Sequence, residues 1–289
     1  MTASLPLLGL IIAAALAAAL AVRLRLFSPE LPSFVPRKPG QAGELAPPLL
    51  LGAFAAYSVS ILLAWIASVL SGQAAFRAIP GGPIEPPLEM VAHTVVLAML
   101  MGMPAVVAIA WWSRRLVLQP FDPSPSRLPA IAGSAMLWAF LVLPMVFAIG
   151  VIATKLSEVL GQPVDRTAHS LLKRIVEPTN EPQWRWFLIA AAVIGAPIIE
   201  EVCYRALLQR GLMTLTRATW PAVVFTSALF TVMHAGAIPA GSFWAAASLL
   251  FSLSVCLGLL FARTGSVVTP IVVHALFNAA SILAALNGW

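Results

Sequence analysis

Residues 218–262 read ATWPAVVFTSALFTVMHAGAIPAGSFWAAASLLFSLSVCLGLLFA and contain no Asp, Glu, Lys or Arg. A helix that crosses the hydrocarbon core of a bilayer needs about 20 apolar residues. This run is long enough for two crossings, and the Gly- and Pro-containing segment at 236–241 divides it near the middle. The stretch therefore predicts two consecutive membrane-spanning helices joined by a short turn.

The rest of the chain has the same character. Hydrophobic residues make up 60% of the 289 residues and charged residues only 10%, whereas a soluble domain carries about 25% charged residues. This composition excludes an ordinary soluble protein and a disordered chain. We therefore predict an all-α polytopic membrane bundle of about eight transmembrane helices. The six further charge-free runs are Leu5–Val22, Ala46–Phe76, Met90–Ser113, Leu128–Thr154, Trp186–Ile199 and Thr264–Trp289.

The first run, Leu5–Val22, has a second interpretation as a cleaved signal peptide. The residues before it carry no basic side chain, and the basic pair Arg23 and Arg25 follows it. A signal peptide has its basic residues in front of the apolar segment. We therefore expect this helix to be retained.

The excess of basic residues gives a net charge of +6, and membrane orientation explains it best. No basic cluster or basic–aromatic stripe occurs, so no nucleic-acid partner is expected. With the N-terminus outside, every inside segment is net positive, and we expect an integral protein of the plasma or inner membrane. The inside basic residues are Arg23, Arg25, Arg37, Lys38, Arg114, Arg115, Arg127, Arg210, Arg217 and Arg263.

The fifth run continues into three charged residues, Glu200, Glu201 and Arg205. Each charge at the centre of a spanning helix costs about 2.5–3.5 kcal/mol, so these side chains need partners inside the protein. Glu201 and Arg205 are four residues apart and can pair on one helix face. Glu200 points about 100° away. Pro197, one turn earlier, frees a backbone carbonyl. The pattern predicts one clamped carboxylate and one spare carboxylate.

Two later helices carry further polar residues. His234 lies in the sixth predicted helix, and His274 and Asn278 lie four residues apart in the eighth. Buried polar groups must find partners, and these spans offer few others. We therefore predict that Glu200, His234, His274 and Asn278 converge on one functional site.

Two kinds of chemistry suit such a site: hydrolysis with Glu200 as the base, or transport of ions or protons. The HExxH motif is absent, and the two aspartates, Asp122 and Asp165, lie in predicted loops, which excludes other intramembrane protease classes. A non-catalytic scaffold or immunity factor that retains the polar core is a third alternative. His93, four residues after Glu89 at the end of the third span, is expected to be structural.

The polar residues form three motifs of the types EExxxR, FxxxH and HxxxN. In this order, within hydrophobic helices, they resemble the CPBP family of CAAX-protease-type and bacteriocin-processing intramembrane proteases, also called the ABI family. The resemblance covers roughly residues 185–285. The motifs are Glu200-Glu201-Val-Cys-Tyr-Arg205, Phe230-Thr-Val-Met-His234 and His274-Ala-Leu-Phe-Asn278.

The resemblance implies hydrolysis of a peptide bond in a membrane-associated substrate, prenylated or bacteriocin-like. It implies that Glu200 activates the water, with Glu201 and Arg205 as supporting residues. It also implies that His234 is a partner in water activation and that His274 and Asn278 stabilise the oxyanion. One mechanism uses a divalent metal, zinc before others, which Glu200, His234 and His274 would hold. The alternative is a metal-free glutamate mechanism that uses the same atoms as hydrogen-bond partners.

The chain divides into three parts under this interpretation. Residues 1–155 are predicted to form variable N-terminal transmembrane helices, about four in number. Residues 156–185 form an extramembrane segment, in which 167–176 is either a short amphipathic helix on the membrane or a solvated loop. Residues 186–289 form the catalytic core, with about four spans.

Overall fold

A computed structural model describes residues 4–28, 41–77, 85–117, 128–162, 164–165, 169–177 and 182–287, and within these ranges it contains helices and no strand. Twelve α-helical segments follow one another in the described chain. They are α1 (Ser4–Arg23), α2 (Gln41–Leu70), α3 (Gln73–Arg77), α4 (Leu88–Val117), α5 (Leu128–Val159), α6 (Ser170–Val176), α7 (Pro182–Ala190), α8 (Ala196–Glu201), α9 (Arg210–Thr216), α10 (Thr219–Met233), α11 (Phe243–Thr264) and α12 (Val268–Leu286).

Seven helical stretches of the described chain are long and apolar enough to cross a membrane, and α1 adds a shorter apolar one, Leu7–Arg23. Segments α7 to α9 form one of the seven, a continuous stretch over Pro182–Thr216. The predicted all-α polytopic bundle is therefore confirmed. The predicted turn inside 218–262 is also present, as two short 3₁₀ segments, Ala235–Ala237 and Ala240–Ser242.

The charge-free run Ala46–Phe76 contains more than one element of structure. Helix α2 ends at Leu70, and a turn precedes α3. Gly72 lies in this turn with φ +78°, a left-handed conformation that glycine adopts without steric cost. The absence of charge up to Phe76 therefore reflects an apolar turn and a short helix rather than a longer span.

The bundle has two packed regions. In the first, α5 packs against α1, α11 and α12 around side chains such as Leu141, Val142 and Leu257. In the second, α2 and α4 pack against each other and against the stretch that carries Tyr204 and Leu207. Many large side chains on the outside are apolar, as expected for helices that face lipid.

The connecting segments gather at two ends of the bundle. At one end, the guanidinium of Arg263 donates to the backbone carbonyl of Arg25, 3.0 Å away. At the other end, Lys173 and Arg174 form ion pairs with Glu85. This grouping agrees with the predicted alternation of spans. Of the charged residues used for that prediction, Arg37, Lys38 and Arg127 lie outside the described residues.

The segment predicted as an amphipathic helix or a loop contains a helix, α6, over Ser170–Val176; Thr167 and Ala168 lie outside the described residues. Its apolar side faces the protein. Ile175 is buried together with Leu188 and Ile282, so this helix packs on the ends of α7 and α12.

Candidate active site

The site is built around α8, which has π-helical turns on both sides, Ala191–Gly195 and Val202–Gln209. Pro197 explains the first of them. A proline has no amide hydrogen, so one backbone hydrogen bond of the helix is missing. A π turn before the proline changes which carbonyl oxygen loses its donor. Here the amide of Ala196 bonds to the carbonyl of Ala191, five residues earlier. The next carbonyl, that of Ala192, would then need the amide proton that Pro197 lacks.

Asn278 supplies that donor. Its Nδ2 donates to the carbonyl oxygen of Ala192 over 2.8 Å, across 86 positions of sequence. The side chain of α12 therefore replaces a backbone hydrogen bond of the stretch that carries Glu200. Pro197 was predicted to free a carbonyl, and the freed group is bound by a residue of the predicted site.

Glu201 and Arg205 form the predicted ion pair. Arg205 Nε donates to Glu201 Oε2 over 3.0 Å, and both side chains are fully buried. Arg205 also donates to Ser254 of α11 at 2.8 Å and to Gln209 at 3.4 Å. Gln209 in turn donates to the backbone carbonyl of Gly258 over 2.8 Å. This buried network joins the π turn Val202–Gln209 to α11, and each charged group in it has hydrogen-bond partners.

His274 connects the network to the spare carboxylate. Its Nδ1 lies 2.9 Å from Glu201 Oε1, and its Nε2 lies 3.8 Å from Glu200 Oε2. A carboxylate that is paired with Arg205 is ionised and can only accept, so Nδ1 of His274 carries the proton. When this imidazole is neutral, its Nε2 presents a lone pair toward Glu200.

His234 makes a matching arrangement from the end of α10. Its Nδ1 is 2.8 Å from the carbonyl oxygen of Phe230, which can only accept, and its Nε2 is 3.9 Å from Glu200 Oε1. Phe230 stacks beside this ring, with centroids 4.4 Å apart. Both imidazoles therefore have Nδ1 committed to the protein and Nε2 directed at the same carboxylate.

The structure brings Glu200, His234, His274 and Asn278 together at one cavity of about 1210 Å³. Glu200 is partly exposed there, with 24% of its side chain accessible, whereas Glu201 is inaccessible. Most other lining residues are apolar and come from α1, α5, α11 and α12, including Leu10, Phe147 and Leu249. The spare carboxylate thus opens into an apolar chamber, which is suited to an apolar substrate.

A third histidine, His169, also lines this cavity. Its ring lies 6.4 Å from that of His234, centroid to centroid. Burial and, to a lesser extent, the nearby His234 lower the pKa of His169 to about 4. The sequence interpretation did not include this residue, because it belongs to none of the three motifs. The only sequence signal was its presence as one of four histidines in a mostly apolar chain.

The fourth histidine, His93, was expected to be structural. Its ring packs edge-on against Trp184, with centroids 4.6 Å apart, and it is not among the residues that line the cavity. This contact joins α4 to α7.

The donor atoms of Glu200, His234 and His274 match the chemistry of an open zinc site with two imidazoles and one carboxylate. Both imidazoles also have the Nδ1 partner that metal-ligating histidines usually have, Glu201 in one case and a backbone carbonyl in the other. Among the described residues, however, no group of three His, Cys, Asp or Glu side chains is close enough together to be a ready metal site. The chemistry of the residues fits a metal, and ligation would require their atoms to approach.

Comparison with known proteins finds a similarity in the part of the chain that carries this site. Residues 182–280 match the family model described as type II CAAX prenyl endopeptidase, Rce1-like. The match contains all three motifs and confirms the resemblance to the CPBP family. This part of the chain is therefore similar to CAAX-type protease domains, and the seven apolar helices have the length and composition of those in integral membrane proteins. No curated protein and no solved structure matches the chain.

Proposed function

We propose that this protein is an intramembrane endopeptidase in which Glu200 activates the attacking water. The observation that carries the proposal is the convergence of two imidazole Nε2 atoms, at 3.8 and 3.9 Å, on the two oxygens of one partly exposed carboxylate. With both imidazoles neutral, three acceptor groups face each other, and they repel unless a proton donor or a cation lies between them. Water is such a donor, and the cavity gives it access.

The proton transfers follow from these positions. Glu200 takes a proton from water, and the hydroxide adds to the carbonyl carbon of the substrate, whose oxygen becomes an oxyanion. When the C–N bond breaks, the proton on Glu200 passes to the departing nitrogen and the carboxylate is restored. Water has two hydrogens: Glu200 accepts the one that is transferred, and the Nε2 lone pair of His234 or of His274 accepts the other. Asn278 uses one amide hydrogen for Ala192 and retains a second for the oxyanion.

Glu201 and Arg205 support this chemistry without touching the water. Glu201 fixes the tautomer and orientation of His274, and Arg205 keeps Glu201 ionised. If a divalent metal is bound, Glu200, His234 and His274 would hold it, and it would supply Lewis-acid activation of the water and the substrate carbonyl.

The proposed substrate is a peptide with a lipid or strongly apolar tail, which enters the cavity from the membrane. Two observations support this class: the apolar walls of the cavity and the description of the matching family as a prenyl endopeptidase. The proposed location is the plasma or inner membrane, where lipid surrounds the helices.

A cleavage assay tests the proposal. The probe is an internally quenched peptide that ends in a farnesylated cysteine and three further residues, offered to the protein in nanodiscs. We expect Glu200→Gln to abolish cleavage while the protein remains folded, because an amide cannot take a proton from water. Glu89→Gln is the matched control, since Glu89 is an exposed glutamate of α4. Cleavage by Glu200→Gln at the wild-type rate would refute the assigned role.

The same assay addresses the metal. A zinc mechanism predicts about one bound metal per chain, loss of cleavage with a chelator, and loss of the metal in His234→Ala. A metal-free mechanism predicts cleavage that a chelator does not change. The measurement is elemental analysis of the purified protein alongside the rate.

A further inference from the structure

His169 comes from outside the domain that matches the known family, which begins at residue 182. It precedes α6, in the segment that connects α5 to α7. The tertiary fold nevertheless brings it to the same cavity as Glu200 and His234. A histidine that belongs to no motif and is held in the site raises the question of what its ring contributes.

The N-cap of α6 fixes the protonation of this ring. His169 has an extended backbone, with φ −133° and ψ 128°, and its Nδ1 accepts a hydrogen bond from the amide of Leu171 over 3.2 Å. An atom that accepts from an amide carries no proton, so the neutral ring has its hydrogen on Nε2. This tautomer is the opposite of that in His234 and His274, whose hydrogens are on Nδ1.

The segment around His169 is tied to the bundle at several points. The amide of Asp165 donates to Ser242 Oγ over 2.8 Å, which joins the preceding residues to the turn before α11. In α6, Arg174 donates to Glu85 at 3.0 Å and to the carbonyl of Pro86 at 2.7 Å, and Ile175 is buried. These contacts hold Asp165 and α6 against the rest of the bundle, and the hydrogen bond from the amide of Leu171 fixes the ring of His169.

We propose that His169 is an additional active-site residue whose Nε2–H donates a hydrogen bond to a backbone carbonyl of the bound peptide. This inference rests on the proposed function. The proposed function uses the groups that face each other at Glu200 as acceptors, and Asn278 has one amide hydrogen left beside its bond to Ala192, which the oxyanion takes. A peptide that lies across Glu200 also presents carbonyl oxygens, and these need donors in a largely apolar chamber.

The low pKa of His169, about 4, is consistent with this role. The ring stays neutral at physiological pH, so Nδ1 remains an acceptor for the cap and Nε2 remains a donor.

Two substitutions separate the cap from the donor. His169→Asn keeps an acceptor in the place of Nδ1, and Asn is a good N-cap, but it has no group in the place of Nε2. His169→Gln keeps an N–H donor in that place and is a poor cap. We expect His169→Asn to lower kcat/KM for the farnesylated peptide by about 10- to 100-fold with an unchanged thermal midpoint. We expect His169→Gln to retain more of the activity and to lower the thermal midpoint.

The reverse pattern overturns the inference. If His169→Asn cleaves at the wild-type rate while His169→Gln is impaired, the residue is only a helix cap. A second measurement does not depend on catalysis: binding of the same peptide to Glu200→Gln protein, with and without His169→Asn. We expect about 10-fold weaker binding with the substitution, and equal binding contradicts the contact. Failure of the proposed function is distinguished by the Glu200→Gln rate with His169 intact.

Discussion

The packing of α2 against α4 and the packing around α8 illustrate two ways of holding helices together in a membrane. The first interface is formed by apolar and small side chains, such as Ala53, Ala56 and Val106. The second contains a fully buried ion pair with three further hydrogen-bonded partners. In lipid, helices associate through van der Waals packing as well as through hydrogen bonds, and the interface of α2 with α4 illustrates association by packing. The retention of the polar network around α8 is explained by the site that it orients.

Removing one partner of the buried ion pair should give the largest effect in this comparison. Arg205→Leu leaves the buried carboxylate of Glu201 without its cation and with His274 as its hydrogen-bond partner, which we expect to cost about 3–5 kcal/mol of stability. The double substitution Glu201→Leu with Arg205→Leu removes both charges and should recover most of that loss. The measurement is the free energy of unfolding in mixed micelles.

Val106→Ala in the apolar interface is the matched control for that experiment. It removes two methyl groups from a buried position and should cost less than Arg205→Leu. A larger loss from Val106→Ala, or a double substitution as unstable as Arg205→Leu, would contradict the distinction between the two regions.

Asn278 and Pro197 provide a second test, because one replaces the hydrogen bond that the other removes. Asn278→Ala leaves the carbonyl of Ala192 without its donor and should cost about 1–3 kcal/mol. Pro197→Ala supplies a backbone amide at the position that lacks one. In the double variant the loss should shrink, with a coupling of about 0.5–3 kcal/mol in a double-mutant cycle. Strictly additive losses would show that the two residues act independently.

The spans and the ion pair followed from the sequence because both depend on local spacing. A charge-free run of sufficient length forms a membrane helix, and residues four apart on a helix can meet. The motif residues were expected to converge, and the structure brings them together. These predictions needed no knowledge of which helices are neighbours.

The π turns and His169 could not be predicted in the same way. The register of the turn before Pro197 depends on a donor from Asn278, which is distant in sequence. The position of His169 depends on the contacts of Arg174 with Glu85 and Pro86, between loops that the sequence does not pair. Such features arise from tertiary structure, and a single sequence gives no spacing from which to derive them.

Two glycines, one in each of the two regions, test the same comparison with a smaller expected change in stability. A Cβ on Gly258, behind the polar network, would lie 2.8 Å from Gln209 Oε1 and 3.1 Å from Val223 Cγ1. A Cβ on Gly102 of α4 would lie 3.8 Å from Ile199 Cδ1, an ordinary contact. We expect Gly258→Ala to cost about 1–3 kcal/mol and to disturb the partner of Arg205, whereas Gly102→Ala should be neutral or slightly stabilising. Equal changes of the thermal midpoint in Gly258→Ala and Gly102→Ala would contradict this difference between the two sites.

The last prediction concerns the two ends of the bundle and changes stability least. The predicted inside segments carry most of the basic residues, and the site cavity opens near α6 and the turn after α10, at the opposite end. The positive-inside rule therefore orients the cavity toward the non-cytoplasmic side. Gln162→Cys and Thr216→Cys report the two ends, since both positions are exposed and the native Cys203 and Cys256 are buried. An impermeant maleimide applied to intact cells should label Gln162→Cys, and should label Thr216→Cys only after permeabilisation. The expected labelling favours an exported lipidated or apolar peptide as the substrate. The opposite labelling would reverse the orientation of the protein and direct the cavity to the cytoplasm, where prenylated protein tails are found.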